Sequence, residues 1–465
     1  MSGGATSPTV RRFWAPRAWL PEGWREEVLL EVDAHGRWSR VVPGQPCPPD
    51  AERLAGLTLP GLVNGHSHAF QRAFAGLAER REAAADNFWS WRDRMYRVAG
   101  KITPDQLRAV ATQLYAELLR GGYTQVCEFH YLHHAPGGKP YGAPMAMTQS
   151  LIDAAADVGI GLTVLPVLYE RAGFDQPMLR PDQQRFRLHA EGVLNAHQSV
   201  QERTHACLNA GLAVHSLRAA RPASLHTLAR MAEQTVGPVH IHVAEQTAEV
   251  QDCLQATGRR PVEYLASEGL LDARWQLVHA THINQAEIMT VAYSGSAVVI
   301  CPSTEGNLGD GLTDLPGWLQ AEVPISLGSD SHVSRCWREE LRWLEYGQRL
   351  GLRQRNVAAA PERGQPSTAE RLWRGVLDGG RMAAGFPLWG LTPGARADLL
   401  VADPRDTSLA GIPAARSLDA LIFSSPTLPW RDVMVAGQWK LREQQMPGSD
   451  AITSGFVSAM EELWS

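Results

Sequence analysis

His66 and His68 are separated by one residue in His66-Ser67-His68. In an extended strand, side chains i and i+2 share a face, so both imidazoles can be aimed at one ion. A second such pair, His240 and His242, opens the run His242-Val243-Ala244-Glu245; His279 ends a later apolar run, and Asp330 closes Leu327-Gly328-Ser329-Asp330. Three histidines and one carboxylate suit a borderline divalent ion such as zinc with a position left open for water, the catalytic rather than the structural arrangement, with Asp330 bound to the ion or beside it. Iron or manganese would be accepted by the same donors, since availability decides among them. An ion held there would bring the pKa of a water toward neutrality. Asp330 is then placed to accept the water's proton, His279 to stabilise the developing oxyanion, and Glu245, three residues after His242, to carry a proton to a leaving nitrogen.

Such residues must be delivered to one place by regular elements. Eight short apolar runs are candidates for strands: Leu59–His68, Tyr123–Leu132, Gly161–Glu170, Leu212–Arg218, Pro238–Gln246, Trp275–Ile283, Ala297–Thr304 and Pro324–His332. Helix-period stretches lie between them, such as Pro104–Arg120, Thr148–Val158, Ser199–Asn209, Ser224–Gln234 and Val262–Glu268. Strands that are continuously apolar and alternate with helices predict a buried parallel sheet, closed as an α/β, (β/α)8 TIM-like barrel. Each run puts its apolar part first and its chemistry last, which is where barrel enzymes build their sites.

The flanks read differently. Glu27–Val42 alternates in polarity, and Ala397–Asp403, Asp419–Phe423 and Asp432–Trp439 are short strand-like pieces, so a small β domain built from both chain ends is expected. The expected division is 1–58 for the N-terminal part of that domain, 59–390 for the barrel, and 391–465 for the C-terminal part with a terminal helix. Two insertions stand out: Phe70–Gly100, which carries Asn87-Phe88-Trp89-Ser90-Trp91-Arg92, and the Arg-, Ala- and Pro-rich Gly351–Thr368. The only low-complexity tract is the short run Ala83–Ala85.

A formal charge of −5 over 465 residues carries no basic field for nucleic acid or an anionic membrane. No apolar run approaches about 18 residues. Met1–Trp24 has no apolar segment of a secretory signal, and the six cysteines stand singly, which fits free thiols and a cytoplasmic protein. A homodimer is the expected assembly, dimers being the commonest soluble oligomers.

The HxH preceded by Leu59-Pro60-Gly61-Leu62-Val63-Asn64-Gly65, the HxxE, the His of the sixth run, the Ser-Asp-Ser of the eighth and Gly394–Val401 together resemble the amidohydrolase superfamily. The resemblance runs through essentially the whole chain and implies a barrel with a small β-sandwich domain. Many two-metal members bridge their ions with a carboxylated lysine on the fourth strand. Here Lys101, Lys139 and Lys440 are the only lysines and none lies in Leu212–Arg218, so a single-metal, deaminase-type site is implied.

Substrate choice falls to other strand ends. His215 and Arg218 close the fourth run, and a guanidinium in a barrel mouth suits a substrate carboxylate or phosphate, or else a salt bridge to a protein acid. His66–Ala73, Phe88–Arg92, Glu128–His133, Val214–Arg218, His240–Gln246 and Ser303–Gly311 are together similar to the N-formimidoyl-L-glutamate deiminases of histidine degradation. Those enzymes hydrolyse the formimidoyl C=N bond to N-formyl-L-glutamate and ammonia with one zinc. The resemblance implies zinc on His66, His68, His242 and Asp330, and catalysis by Glu245, His279 and Asp330. It also implies contacts from Gln71, Tyr131, His215 and Arg218 to a dicarboxylate substrate. Taken singly, Gln71 could be a helix-start residue and Tyr131 a core tyrosine. Trp89, Trp91 and Tyr96 could line a lid or simply pack, Asn307 could hydrogen-bond substrate but reads rather as the cap of a turn in Asn307–Gly311, and Glu79–Ala85 matches nothing in that family. The competing enzyme reading is an amidohydrolase-type deaminase of an aromatic base or nucleoside, guanine- or adenosine-like, in which Arg218 is structural. A barrel kept only as an assembly module is the non-catalytic reading, and the intact ligand set speaks against it.

Overall fold

The computed structural model describes residues 10–81, 87–425 and 428–465; the run Ala83–Ala85 lies outside them. Eight strands pair in parallel in chain order: β1 (Leu62–Ser67), β2 (Tyr123–His130), β3 (Gly161–Leu168), β4 (Leu212–Ser216), β5 (Val239–Val243), β6 (Trp275–His279), β7 (Ala297–Ile300) and β8 (Ile325–Leu327). Every position in them is buried, which is why the runs are apolar throughout rather than alternating. The ring closes where β8 returns to β1: Ser67 bridges Asp330, His68 N–H donates to the Asp330 carbonyl at 3.3 Å, and Asp330 N–H donates to the His66 carbonyl at 3.1 Å. The α/β barrel expected from the apolar runs is therefore present.

The helices between the strands start where their caps dictate. Pro104–Arg120 has Pro at its first turn and a reciprocal cap between Thr103 and Gln106, and it stops at Gly121. Thr368–Ala384 lies across the outside of the barrel, and at Gly379 a Cβ would stand 2.1 Å from the Ile325 carbonyl oxygen, so only glycine lets this helix approach β8. His240, partner of the second HxH, points outward to this helix and hydrogen-bonds the Ala383 carbonyl at 2.8 Å. It is a packing histidine.

The second sheet draws strands from both chain ends, in the order Gln438–Leu441, Trp430–Val435, Leu399–Ala402, Thr58–Pro60, Arg11–Leu20, Gly23–Val32 and Trp38–Val42, with Glu52–Arg53 beside Arg11–Leu20. Phe13, Leu30, Trp38, Leu399 and Met434 are among its own buried core. The final helix, Ser449–Trp464, packs on Pro104–Arg120. No helix among the described residues is long and apolar enough to cross a membrane.

Three segments differ from the sequence expectation. Leu59–His68 is two strands, because Leu59 and Pro60 pair with Leu400 and Leu399 in the second sheet and the chain enters the barrel only after Gly61. A Cβ at Gly61 would lie 2.2 Å from Thr124 Oγ1, so the crossing needs glycine. Asp419–Phe423 belongs to a helix, Ser417–Phe423, because Leu418, Leu421 and Ile422 recur at helical spacing and are buried together. The helix expected at Ser199–Asn209 is Ala190–Gln201, whose buried face is Ala190, Val193, His197 and Val200, and Leu208–Ala210 is a short strand beside β3.

One buried ion pair ties the sheet to the barrel. Arg396 donates to Asp398 at 2.6 and 2.9 Å, to Gln125 Oε1 at 2.7 Å and to the Thr124 carbonyl at 2.9 Å. Arg396→Ala should lower the unfolding free energy by about 3–5 kcal/mol, because Asp398 is left buried and unpaired. Urea unfolding measures this; a loss below about 1 kcal/mol would mean that the pair is no stronger than a surface one.

Candidate active site

At the closure point the side chains converge. His66 Nε2 lies 3.1 Å from His68 Nε2 and 3.0 Å from His242 Nε2, and Asp330 Oδ1 lies 3.5 and 3.4 Å from the first two. The tautomers of two rings follow from their other nitrogens. His68 Nδ1–H donates to the Phe129 carbonyl and His242 Nδ1–H to the His215 carbonyl, both at 2.9 Å, so each Nε2 presents a lone pair to the common point. Burial pushes His66 down to about 3, with His68 adding to it, and holds His242 well below its ordinary value. Burial works against ionisation of Asp330, yet His66, His68 and His279 outweigh it and keep the carboxyl well below its usual range. Neutral imidazole lone pairs and an ionised carboxylate facing one point form a donor set complementary to a divalent cation. His279, Cys301 and Asp330 form a second group, but burial drives the Cys301 thiol far up, which makes it the poorer set.

The acid–base residues stand on the next strand ends. His279 Nε2 is 3.8 Å from Glu245 Oε1 and 3.8 Å from Asp330 Oδ2, while its Nδ1 is 3.3 Å from Glu305 Oε1. Burial alone would lower the His279 pKa, but Glu245, Glu305 and Asp330 raise it to about 10. Burial pushes Glu245 up to about 7; Asp330 and Glu249 add to this, and His279 and Arg218 oppose it. A carboxyl poised near neutrality can both give and take a proton. Asp310, raised by burial and by Glu245 to about 9, is held by the Gln246 side-chain amide.

The chain pays at these turns in backbone strain: Ala244, His279, Ala280, Asp330 and His332 all have φ between 44 and 69°. Buried carboxylates hold the loops in place. Glu249 accepts from the Ala244 and Glu245 N–H groups at 3.2 and 3.1 Å. Glu128 accepts from Ser67 Oγ at 2.7 Å and from Ala69 N–H at 2.6 Å, which fixes the HxH segment.

The pocket above is lined by Gln71, Tyr131, His215, Arg218, His242, Glu245, His279 and Asp330, so every expected site residue except His66, buried beneath, faces one space. Gln71 donates to the Tyr131 hydroxyl at 3.2 Å, and its Oε1 is buried without a partner. Burial and Arg218 keep the His215 imidazole neutral. No carboxylate among the described residues ion-pairs with Arg218, and its Nη1 is buried without a hydrogen-bond partner, so the salt bridge that would make it structural is missing.

Sequence reasoning passed over Arg92 and Glu305. In the helix Phe88–Ala99, the residues Phe88, Trp91, Arg92, Met95 and Tyr96 all line the pocket. Their spacing of three and four was readable as one helix face. Arg92 has a buried Nε without a partner, lies 4.5 Å over the Trp89 ring, and is close enough to Arg218 for the two charges to oppose each other. Trp91 and Tyr96 therefore face the pocket while Trp89 backs Arg92. Asn307 is not a turn residue: it donates to Glu79 at 2.9 Å, and Gly309 ends its helix.

Residues 57–440 match the model of the amidohydrolase family. The chain is 43% identical to formimidoylglutamate deiminase of Pseudomonas aeruginosa over 97% of its own length and 99% of that protein's. A crystal structure of an amidohydrolase from Brucella melitensis superposes with a TM-score of 0.92 at 39% identity, covering 98% of this chain and 100% of the other. An adenosine deaminase from Xanthomonas campestris with bound zinc shares the fold, with a TM-score of 0.81 at 22% identity over 99% of this chain and 100% of that one.

Replacing His242 with alanine removes one of three converging lone pairs. His242→Ala should lower bound divalent metal from near-stoichiometric to substoichiometric in metal analysis of the purified protein, with the circular dichroism spectrum retained. Full metal content in the variant would place the ion elsewhere.

Proposed function

The chain belongs to the amidohydrolase family, and from that membership we propose that it is a zinc-dependent iminohydrolase converting N-formimidoyl-L-glutamate to N-formyl-L-glutamate and ammonia. The observation that carries this reading is the pair Arg92 and Arg218, two guanidiniums without carboxylate partners among the described residues, in the wall of a hydrolytic pocket. Half-buried unpaired charges are costly, and a substrate carboxylate repays them. A neutral purine or pyrimidine would leave both unmatched, which counts against the base-deaminase alternative. The similarity to a formimidoylglutamate deiminase along the full chain supports the same assignment.

His66, His68, His242 and Asp330 would hold one zinc ion, which when bound supplies the Lewis acidity that makes a water nucleophilic near pH 7. Asp330, kept ionised by its histidine neighbours, accepts the proton of the attacking water. His279 directs Nε2 to the same point and stabilises the negative charge that develops as oxygen adds to the formimidoyl carbon. Glu245 delivers a proton to the nitrogen of the former C=N bond. As the C=O bond forms, Glu245 takes back the hydroxyl proton and the proton held on Asp330 passes to the same nitrogen, which leaves as ammonia, so one water is consumed for each ammonia released. Because Arg92 and Arg218 stand together, one substrate carboxylate answers both; the neutral donors of Gln71, Tyr131 and His215 meet the other.

Ammonia release from N-formimidoyl-L-glutamate, with guanine, adenosine and cytosine assayed in parallel, tests the assignment, and preferential turnover of a base would move it. Glu245→Gln should cut kcat by about 10²–10⁴-fold while metal content is kept, the contribution expected of a positioned acid–base group. Arg218→Met removes a charged hydrogen bond worth about 1.5–3 kcal/mol, so KM should rise about 10- to 100-fold and inhibition by dicarboxylates should weaken. An unchanged KM would return Arg218 to a structural role.

A further inference from the structure

Glu305 is given no part in the chemistry above, yet it lies against the residue that faces the reaction. It sits in the helix Pro302–Leu308 that follows β7, and its side chain is buried. Its Oε1 accepts the Cys301 N–H at 3.0 Å and stands 3.3 Å from His279 Nδ1. The opposite nitrogen, Nε2, is the one aimed at Glu245 and Asp330. The imidazole is thus suspended between a carboxylate behind it and the reacting side in front.

Two features make such a hold necessary. His279 and the following Ala280 have φ of 69 and 46°, so the local backbone is in a region that a side chain of this size does not favour. A ring turned over about its Cβ–Cγ bond would also exchange a nitrogen for a carbon at the reacting side. The flat packing of His279 on His242, with ring centroids 5.5 Å apart and planes 19° apart, permits both ring orientations. The contact from Nδ1 to Glu305 distinguishes them at hydrogen-bonding distance, whereas Glu245 and Asp330 stand farther off, 3.8 Å from Nε2.

We propose that Glu305 is a positioning residue for the hydrolytic step: it accepts Nδ1–H of His279 and so fixes the ring orientation that presents Nε2 to the attacking water. The inference rests on the role assigned to His279 under the proposed function. The logic is that of a base oriented by a third group, here supplied by the neighbouring strand end.

The zinc-loaded variants Glu305→Ala and Glu305→Gln, and the double variant His279→Ala/Glu305→Ala, test it. In Glu305→Ala, kcat should fall roughly 10- to 100-fold with KM and zinc content close to wild type. Glu305→Gln should recover part of the loss, because its amide oxygen can still accept Nδ1–H. Added to His279→Ala, the Glu305→Ala change should lower kcat no further, because its effect passes through that ring. A kcat of Glu305→Ala within threefold of wild type, or a full further loss in the His279→Ala background, overturns the proposal. A readout free of substrate comes from proton NMR of protein labelled with ¹⁵N in histidine. A hydrogen-bonded Nδ1 proton of His279 should be present in wild type, retained with an upfield shift in Glu305→Gln and absent in Glu305→Ala, and its absence in wild type overturns the proposal even if Glu305→Ala fails to fold. Failure of the wild-type chain to act on N-formimidoyl-L-glutamate would instead count against the substrate reading, leaving the NMR result to decide the positioning role.

Discussion

The convergence of three neutral imidazoles and one ionised carboxylate on a single buried point is the constraint around which this molecule is organised. Lone pairs 3.0–3.1 Å apart repel unless a positive charge lies among them, and in a low-dielectric interior that repulsion is not screened. Holding them there requires strands whose ends are placed to within a fraction of an ångström. The barrel meets this requirement by closing through the site itself, since the backbone hydrogen bonds that join β8 to β1 are made by His66, His68 and Asp330. Fold closure and ligand geometry are one set of interactions.

Around that centre stands a group of buried carboxylates with a different duty. Glu128, Glu249, Glu305 and Glu340 each accept a backbone N–H from a loop that leaves a strand end: Ala69, Ala244 with Glu245, Cys301 and Ser303 respectively. One of those turns has left-handed backbone at a residue with a side chain, Ala244. A carboxylate accepting amide protons offsets part of that strain and replaces the water that an exposed loop would use. The cost is negative charge in the interior, visible as Glu128 being pushed up to about 7 and Glu340 to about 8.

The arginines divide by whether the protein itself completes them. Arg396 is fully answered by Asp398, Gln125 and a backbone carbonyl, and it serves to join the two sheets. Arg92 and Arg218 have no such partners among the described residues and face the pocket. The contrast separates structural cations from cations set aside for a ligand, a distinction that residue type alone does not make.

The barrel, its strand order and the residues His66, His68, His242, Glu245, His279 and Asp330 were determined by the sequence alone. Continuous apolar runs can only be buried parallel strands when helices separate them, and residues at the ends of such strands must meet at one mouth. The hand-over at Gly61, the helix at Ser417–Phe423, the partner of Asn307 and the placing of Arg92 and Glu305 were decided only in three dimensions. A run such as Leu59–His68 reads as one strand because periodicity does not record which sheet a strand joins. Arg92 and Glu305 reach the site from a connecting helix and from the neighbouring strand end, over separations of 126 and 26 residues from Arg218 and His279. Local spacing carries information about which face a side chain occupies; which other face it meets is set by long-range packing, and that is where pairing, and the lack of it, is decided.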